Sequence, residues 1–150
     1  MARKTETFIY KGLGFPIELI DAPMKRVLGE WVVDIDMNAL QVFVFKGLIY
    51  KPFPLTGREV RFMRKFLEMT TTEFGKKLGM SHATIVKWES EQAKINPLQE
   101  SYIRMFLFEC LKGSELLNLY KEITPEKLAD AKDEKHPPFA VDIKQLRIAV

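Results

Sequence analysis

The chain has 150 residues, of which 47% are apolar, and a formal net charge of +3. This composition suits one domain or two small ones and excludes a disordered protein, while the single cysteine excludes an intrachain disulfide. With no Cys/His cluster, no membrane-length apolar run and no visible signal peptide, the sequence predicts a soluble cytoplasmic protein without a metal or other cofactor.

The first third of the chain is predicted to form a small β-rich unit. Residues 7–10 are β-branched and aromatic, residues 17–19 alternate between apolar and polar, and residues 31–33 follow Gly29, a turn signal. The segment 21–23 contains a proline and is predicted to end the second run. These features favour a sheet of two or three strands.

A buried helix is predicted to follow the sheet, over residues 37–50, with Asp36 as its cap. Residues 39–50 are apolar on nearly all sides, so such a helix must lie in a core or an interface. Residues 42–45 would also suit a strand. The stiff, proline-containing stretch 51–54 marks the linker, so the predicted N-terminal β/α unit spans residues 1–54.

A compact helical domain is predicted over residues 55–121, because polar caps precede successive apolar-periodic stretches. The five predicted helices begin at Thr56, Thr70, Ser81, Asn96 and Ser114. The first two caps belong to capping boxes completed by Glu59 and Glu73, and Pro97 suits the first position of the fourth helix.

Residues 122–150 are predicted to be a C-terminal extension. They contain a candidate helix over residues 124–132, a solvated loop over residues 133–138, and strand character at Val141, Ile143 and Ile148. The predicted fold class is therefore α+β, with a small N-terminal β/α unit followed by a five-helix bundle.

The most informative stretch is residues 71–90, which has the spacing of a helix-turn-helix, whose second helix lies in the DNA major groove. Gly75 is small where the helices would touch, Gly79 suits a left-handed turn, and Met80 would fill the corner. Four apolar residues would point inward: Phe74, Leu78, Ile85 and Trp88. Two alternatives are an ordinary helical hairpin and a helix-turn-helix that serves only protein contacts.

The predicted DNA-binding residues surround the second helix of this motif. They are Thr70, Thr71, Ser81, His82, Ala83, Thr84, Lys87 and Lys94. Lys87 could donate to guanine, and Ala83 or Thr84 could pack against a thymine methyl group. Thr70 and Thr71 could meet a phosphate, and His82 could contact a phosphate or a base edge or be a plain surface residue.

The charge distribution agrees with this interpretation, because residues 56–112 carry ten basic and seven acidic residues. A salt bridge between Arg64 and Glu89 is predicted to orient the reading helix. The fourth helix, over residues 97–111, is more apolar than one core-facing stripe requires and could join two protomers. Cys110 is predicted to be a packed thiol. No nucleophile–base arrangement or phosphate loop is visible, so no enzyme activity is expected.

The segment from Leu55 to Lys65, followed by the helix-turn-helix ending at Lys87-Trp88-Glu89, resembles the Xre-type, phage-repressor-like DNA-binding domain. The segments Gly12-Leu13-Gly14-Phe15-Pro16-Ile17 and Asp34-Ile35-Asp36 resemble, more narrowly, the MqsA/HigA-type antitoxins. The resemblance covers roughly residues 8–112. This chain lacks the zinc-binding CxxC pair of many relatives, has Thr71 in place of a usual glutamine, and has Ala83 at a position that is often polar.

The resemblance implies a homodimeric repressor that binds a palindromic operator in its own promoter. It also implies a cognate toxin, often an mRNA-cleaving enzyme encoded beside the antitoxin. We therefore expect a transcriptional repressor acting on double-stranded DNA as the antitoxin of a type II toxin–antitoxin pair. The alternatives are a stand-alone Xre-family regulator and a helix-turn-helix adaptor that acts through protein contacts.

Overall fold

The computed structural model describes residues 3–111, 125–130 and 138–143. This part of the chain contains four strands and six helices, which confirms the predicted α+β class. The chain divides into two compact units, Met1–Val44 with Pro137–Val150 and Phe45–His136. The domain division at residues 54 and 121, with the roles assigned to each part, stays a prediction.

The sheet is built around one long strand, β2 (Ile17–Val27). Strand β1 (Arg3–Tyr10) pairs antiparallel with one side of β2. On the other side, β3 (Glu30–Val33) pairs antiparallel with the second half of β2, and β4 (Phe139–Asp142) pairs parallel with the first half. The strand character predicted at Val141 is therefore confirmed, whereas that predicted at Ile143 is wrong, because β4 ends at Asp142, and Ile148 lies outside the described residues.

The prediction that residues 21–23 end the second strand is wrong, because a β-bulge carries β2 through them. The pairing register between β1 and β2 shifts at this point, and Asp21 takes a positive φ of 52° while its backbone N–H donates to the Thr7 hydroxyl at 3.0 Å. One extra residue reverses the alternation of faces. Ile17 and Leu19 before the bulge and Ala22 after it are consequently all buried, which a strict alternation would not allow.

Pro23 is tolerated because of where β2 changes partners. Its carbonyl accepts a 2.7 Å hydrogen bond from the N–H of Asp34, so this side of the residue faces the edge occupied by β3 and β4. The missing proline N–H points to the same side, between the end of the β4 pairing at Ile20 and the start of the β3 pairing at Met24. The register places Pro23 opposite Asp34, so the missing N–H removes only the reciprocal bond at the end of the β3 ladder, and the pairing from Met24 onward is kept.

The first helix, α1, spans Met37–Ile49 and confirms the helix predicted there, so the strand alternative for residues 42–45 is wrong. Asp36 caps it as predicted, since its carboxylate accepts from the N–H groups of Asn38 at 2.9 Å and Ala39 at 3.3 Å. Five of its apolar side chains are buried: Leu40, Val44, Phe45, Leu48 and Ile49.

Within the described residues, five further helices follow: α2 (Gly57–Phe66), α3 (Thr71–Leu78), α4 (His82–Glu89), α5 (Pro97–Cys110) and α6 (Pro125–Asp130). The predicted capping boxes at Thr56 and Thr70 are present, and Asn96 forms a third with Gln99. Helix α6 packs against α5. The helix predicted over residues 114–120 lies outside the described residues, as does all of the predicted loop 133–138 except Pro138.

A buried ion pair on α5 holds the segment between α1 and α2. Arg104 donates two hydrogen bonds to the Glu100 carboxylate, and it also donates to the carbonyl groups of Leu48, Ile49, Lys51 and Phe53. The other Glu100 oxygen accepts from the Leu55 N–H at 3.0 Å. Burial raises the pKa of the Glu100 carboxyl and lowers that of Arg104, and each partner opposes the other's shift. The predicted linker is therefore fixed to α5.

Cys110, at the end of α5, is exposed, so the prediction of a packed thiol is wrong. The thiol is still partly buried. This burial, together with the nearby carboxylate of Glu109, raises the pKa of the thiol. The thiol therefore stays protonated at neutral pH. Among the helices that the structure describes, none combines the length and the apolar character needed to cross a membrane.

Candidate nucleic-acid interface

The turn between α3 and α4 has the backbone geometry that its sequence predicts. Gly79 ends α3 with φ 69° and ψ 27°, a left-handed conformation that costs glycine little. The N–H of Met80 then donates to the Gly75 carbonyl at 2.8 Å. A Cβ added to Gly75 would lie 2.7 Å from the Met80 carbonyl oxygen, so the small residue is required where the turn folds back.

The apolar residues predicted to point inward from α3 and α4 do so. Phe74, Leu78, Ile85 and Trp88 are each at most 4% exposed. Burial of large side chains from both helices contributes on the order of 2 kcal/mol each to folding and fixes the two helices against the domain core. The outer face of α4 is therefore determined by the burial of its inner face.

The predicted salt bridge between Arg64 on α2 and Glu89 on α4 is confirmed, and it is bidentate. Arg64 Nε lies 2.6 Å from one Glu89 oxygen and Nη2 lies 2.8 Å from the other. The remaining nitrogen, Nη1, donates to the Met69 carbonyl at 2.8 Å. Because the planar guanidinium holds both oxygens at once, the end of α4 has a defined orientation on α2.

A second contact between α2 and α4 was not apparent in the sequence. A Cβ added to Gly57 would lie 1.8 Å from the Trp88 carbonyl oxygen, a distance at which backbone must shift. The first residue of α2 is thus in direct contact with the last turn of α4. In the sequence, Gly57 is recognisable only as part of the capping box.

The outer face of α4 presents His82, Ala83 and Lys87 to solvent, as predicted. Val86 is also on this face, with 43% of its surface exposed, and sequence analysis did not select it. Thr84 is half-buried, and its hydroxyl lies 2.9 Å from the Ser81 hydroxyl. The exposed group on α4 is therefore His82, Ala83, Val86 and Lys87, with Thr84 set back from it.

His82 is held by the preceding helix. Its Nδ1 lies 2.7 Å from the Thr71 hydroxyl, so a direct hydrogen bond joins the first turns of α3 and α4. This bond orients the imidazole ring and leaves the outer nitrogen, Nε2, available to a ligand. Thr71 and His82, both predicted site residues, are thus brought together.

The remaining predicted residues have local roles or lie elsewhere. The Thr70 hydroxyl accepts from the Glu73 N–H at 3.1 Å, and the Ser81 hydroxyl accepts from the Thr84 N–H at 3.1 Å, so both cap helices. Lys94 lies beyond the C-terminal end of α4, where it contributes to the lining of a cavity of about 910 Å³. It is therefore separated along the chain from the exposed residues of α4.

Comparison with protein-family models, curated proteins and solved structures found no match. The resemblance to Xre-type domains and to MqsA/HigA-type antitoxins therefore rests on the residues themselves and stays a prediction. Within residues 3–111, 125–130 and 138–143, no three His, Cys, Asp or Glu side chains gather where they could hold a metal ion.

Proposed function

We propose that this chain is a sequence-specific, DNA-binding transcriptional repressor in which α3 and α4 form a helix-turn-helix. One observation carries the proposal. Helix α4 buries Ile85 and Trp88 against the domain, and it exposes a compact row of side chains between His82 and Lys87. An exposed row along one face of a well-anchored helix is the arrangement with which such motifs read base edges.

The chemistry of the row fits the major groove. Lys87 can donate to the guanine O6 and N7 acceptors, and the outer nitrogen of His82 can reach a base edge or a phosphate. Ala83 is small enough to permit close approach of the helix. The bidentate Arg64–Glu89 pair supports this role because base reading requires that the helix keep one orientation.

Phosphate contacts are proposed at the start of α3 and on the basic residues of its last turn. The first turn of a helix presents unpaired N–H groups and the positive end of the dipole, which favours anions. Thr70 and Thr71 lie at that position, and Lys76 and Lys77 are exposed in the last turn of the same helix. Glu73 in the first turn opposes an anion, so the lysines must contribute to binding.

We further propose a homodimer on a palindromic operator, with the two copies of α4 about 34 Å apart, one turn of DNA. Leu98 and Tyr102 on α5 are exposed apolar side chains that suit a protomer interface. A cognate toxin and autoregulation of a shared operon follow only from the resemblance to antitoxins, and a cytoplasmic location follows only from the composition of the sequence. They are part of the proposal on those grounds alone.

The test is selection of binding sites from a random-sequence duplex library by the purified full-length protein. We expect enrichment of one motif repeated with two-fold symmetry, and an affinity that falls steeply with salt as counterions are released. Lys87→Ala should bind the selected duplex roughly 5- to 150-fold more weakly, because a lost base contact is worth about 1–3 kcal/mol, and should relax the preference at one base pair per half-site.

Lys11→Ala is the matched control, because it removes one exposed lysine from the first compact unit. It should leave the selected motif unchanged. A library that yields no enriched motif at low salt would contradict the proposed function and favour an adaptor acting through protein contacts. An unaltered motif with Lys87→Ala would remove Lys87 from the base-reading residues.

A further inference from the structure

We propose that Val86, together with Ala83, reads thymine methyl groups, so that the DNA sequence this protein selects carries thymine opposite the middle of α4. The inference rests on the proposed function and names the base chemistry that the same surface recognises. It assigns specificity to a residue that neither the helix caps nor the charge pattern identifies.

The first argument is the exposure of Val86. It is 43% exposed on α4, whereas two other apolar residues of the same helix, Ile85 and Trp88, are buried. Valine has low helix propensity, and its exposed surface contributes nothing to the core of the domain. Helix stability therefore gives no reason for valine at this position.

The second argument is the lack of polar groups in the centre of the exposed row. Ala83 and Val86 are three residues apart on a helix and therefore are neighbours on one face, between His82 and Lys87. The Thr84 hydroxyl lies 2.9 Å from the Ser81 hydroxyl in a half-buried position. The Val86 carbonyl accepts from the Ser90 hydroxyl at 2.9 Å, so its acceptor is also engaged.

The third argument is chemical complementarity. Each base pair presents hydrogen-bonding groups in the major groove, but only thymine presents an apolar one, its C5-methyl group. An aliphatic patch gains most from that methyl group and leaves the donors and acceptors of other bases unpaired. Because valine is stiff about χ1, it loses little side-chain entropy on contact.

The experiment uses the duplex selected by the full-length protein, with each thymine replaced in turn by deoxyuridine, which removes the methyl group alone. We expect replacement of at least one thymine per half-site to weaken binding about fourfold, the value for about one buried methyl group. In Val86→Ala the same replacement should have a clearly smaller effect, because the methyl group has lost its partner.

Val27→Ala is the control, since it shortens another valine, which is 44% exposed on β2 in the other compact unit. It should retain the full response to deoxyuridine. Both variants should keep the wild-type melting temperature, which separates loss of contact from loss of fold. If a motif is selected but no deoxyuridine weakens binding, or if the effect is equal in Val86→Ala, the inference is overturned and the proposed function stands. If no motif is selected, both are overturned.

Discussion

At the scale of single residues, two glycines determine how closely α3 and α4 approach their neighbours. Gly75 allows the turn to fold back against its own helix, and Gly57 allows α2 to meet the backbone of α4 at Trp88. Neither glycine needs a left-handed φ, since the positive-φ glycines of the described chain are Gly14, Gly29 and Gly79. Space, and not backbone freedom, is what these two positions require.

Gly57→Ala is therefore expected to destabilise the protein by about 1–3 kcal/mol, the range for inserting a methyl group into filled space. The sign of this change in the free energy of unfolding is informative, because alanine in a helix would otherwise be favoured over glycine by up to about 1 kcal/mol. The measurement is the free energy of unfolding from urea titration of the full chain.

The neighbouring Arg58→Ala is the control for this substitution, since Arg58 is exposed and its replacement should change stability by less than about 0.5 kcal/mol. A Gly57→Ala protein as stable as the wild type would show that α2 and α4 can separate at this contact without cost.

At the scale of secondary-structure elements, the orientation of α4 depends on the bidentate pair that joins it to α2. The side chains of Arg64 and Glu89 are about 10% and 8% exposed, so removal of one leaves the other charge largely out of water. A pair of this kind contributes little net stability compared with apolar replacements, but breaking it is costly.

Arg64→Met is expected to lower the free energy of unfolding by about 3 kcal/mol, because the Glu89 carboxylate is left without its partner. The double variant with Glu89→Met should recover most of that loss. If the pair orients the reading helix, the double variant should still bind the selected duplex more weakly than the wild type.

Urea titration and fluorescence anisotropy with labelled duplex measure the two effects separately. Wild-type affinity in a double variant of wild-type stability would contradict an orienting role for the pair. Equal loss of stability in the single and double variants would contradict the account of an uncompensated buried charge.

At the scale of the whole molecule, the parts of the fold that the sequence predicts are those set by local chemistry. The caps at Thr56, Thr70 and Asn96 and the left-handed turn at Gly79 each depend on residues within one helical turn. The inward residues of α3 and α4 follow from helical periodicity. Local signals of this kind are present in the sequence before any tertiary contact is known.

The features that sequence analysis missed depend on distant partners. In the sequence, Pro23 predicts the end of a strand. Whether its missing N–H interrupts the sheet depends on how β3 and β4 share one side of β2. Arg104 binds carbonyl groups about fifty residues earlier in the chain, and carbonyl groups carry no sequence signal. Val86 was missed because it looks like a core residue until the burial of its neighbours shows that it faces outward.

The central claim is that α4 lies in the DNA major groove, and methylation protection by dimethyl sulfate tests it most directly. This reagent methylates guanine N7 in the major groove and adenine N3 in the minor groove of the selected duplex. The account predicts protection of guanine N7 in two patches about ten base pairs apart, with one guanine per patch losing protection in Lys87→Ala. Protection confined to adenine N3, or unaltered reactivity of every guanine in a saturated complex, would contradict it.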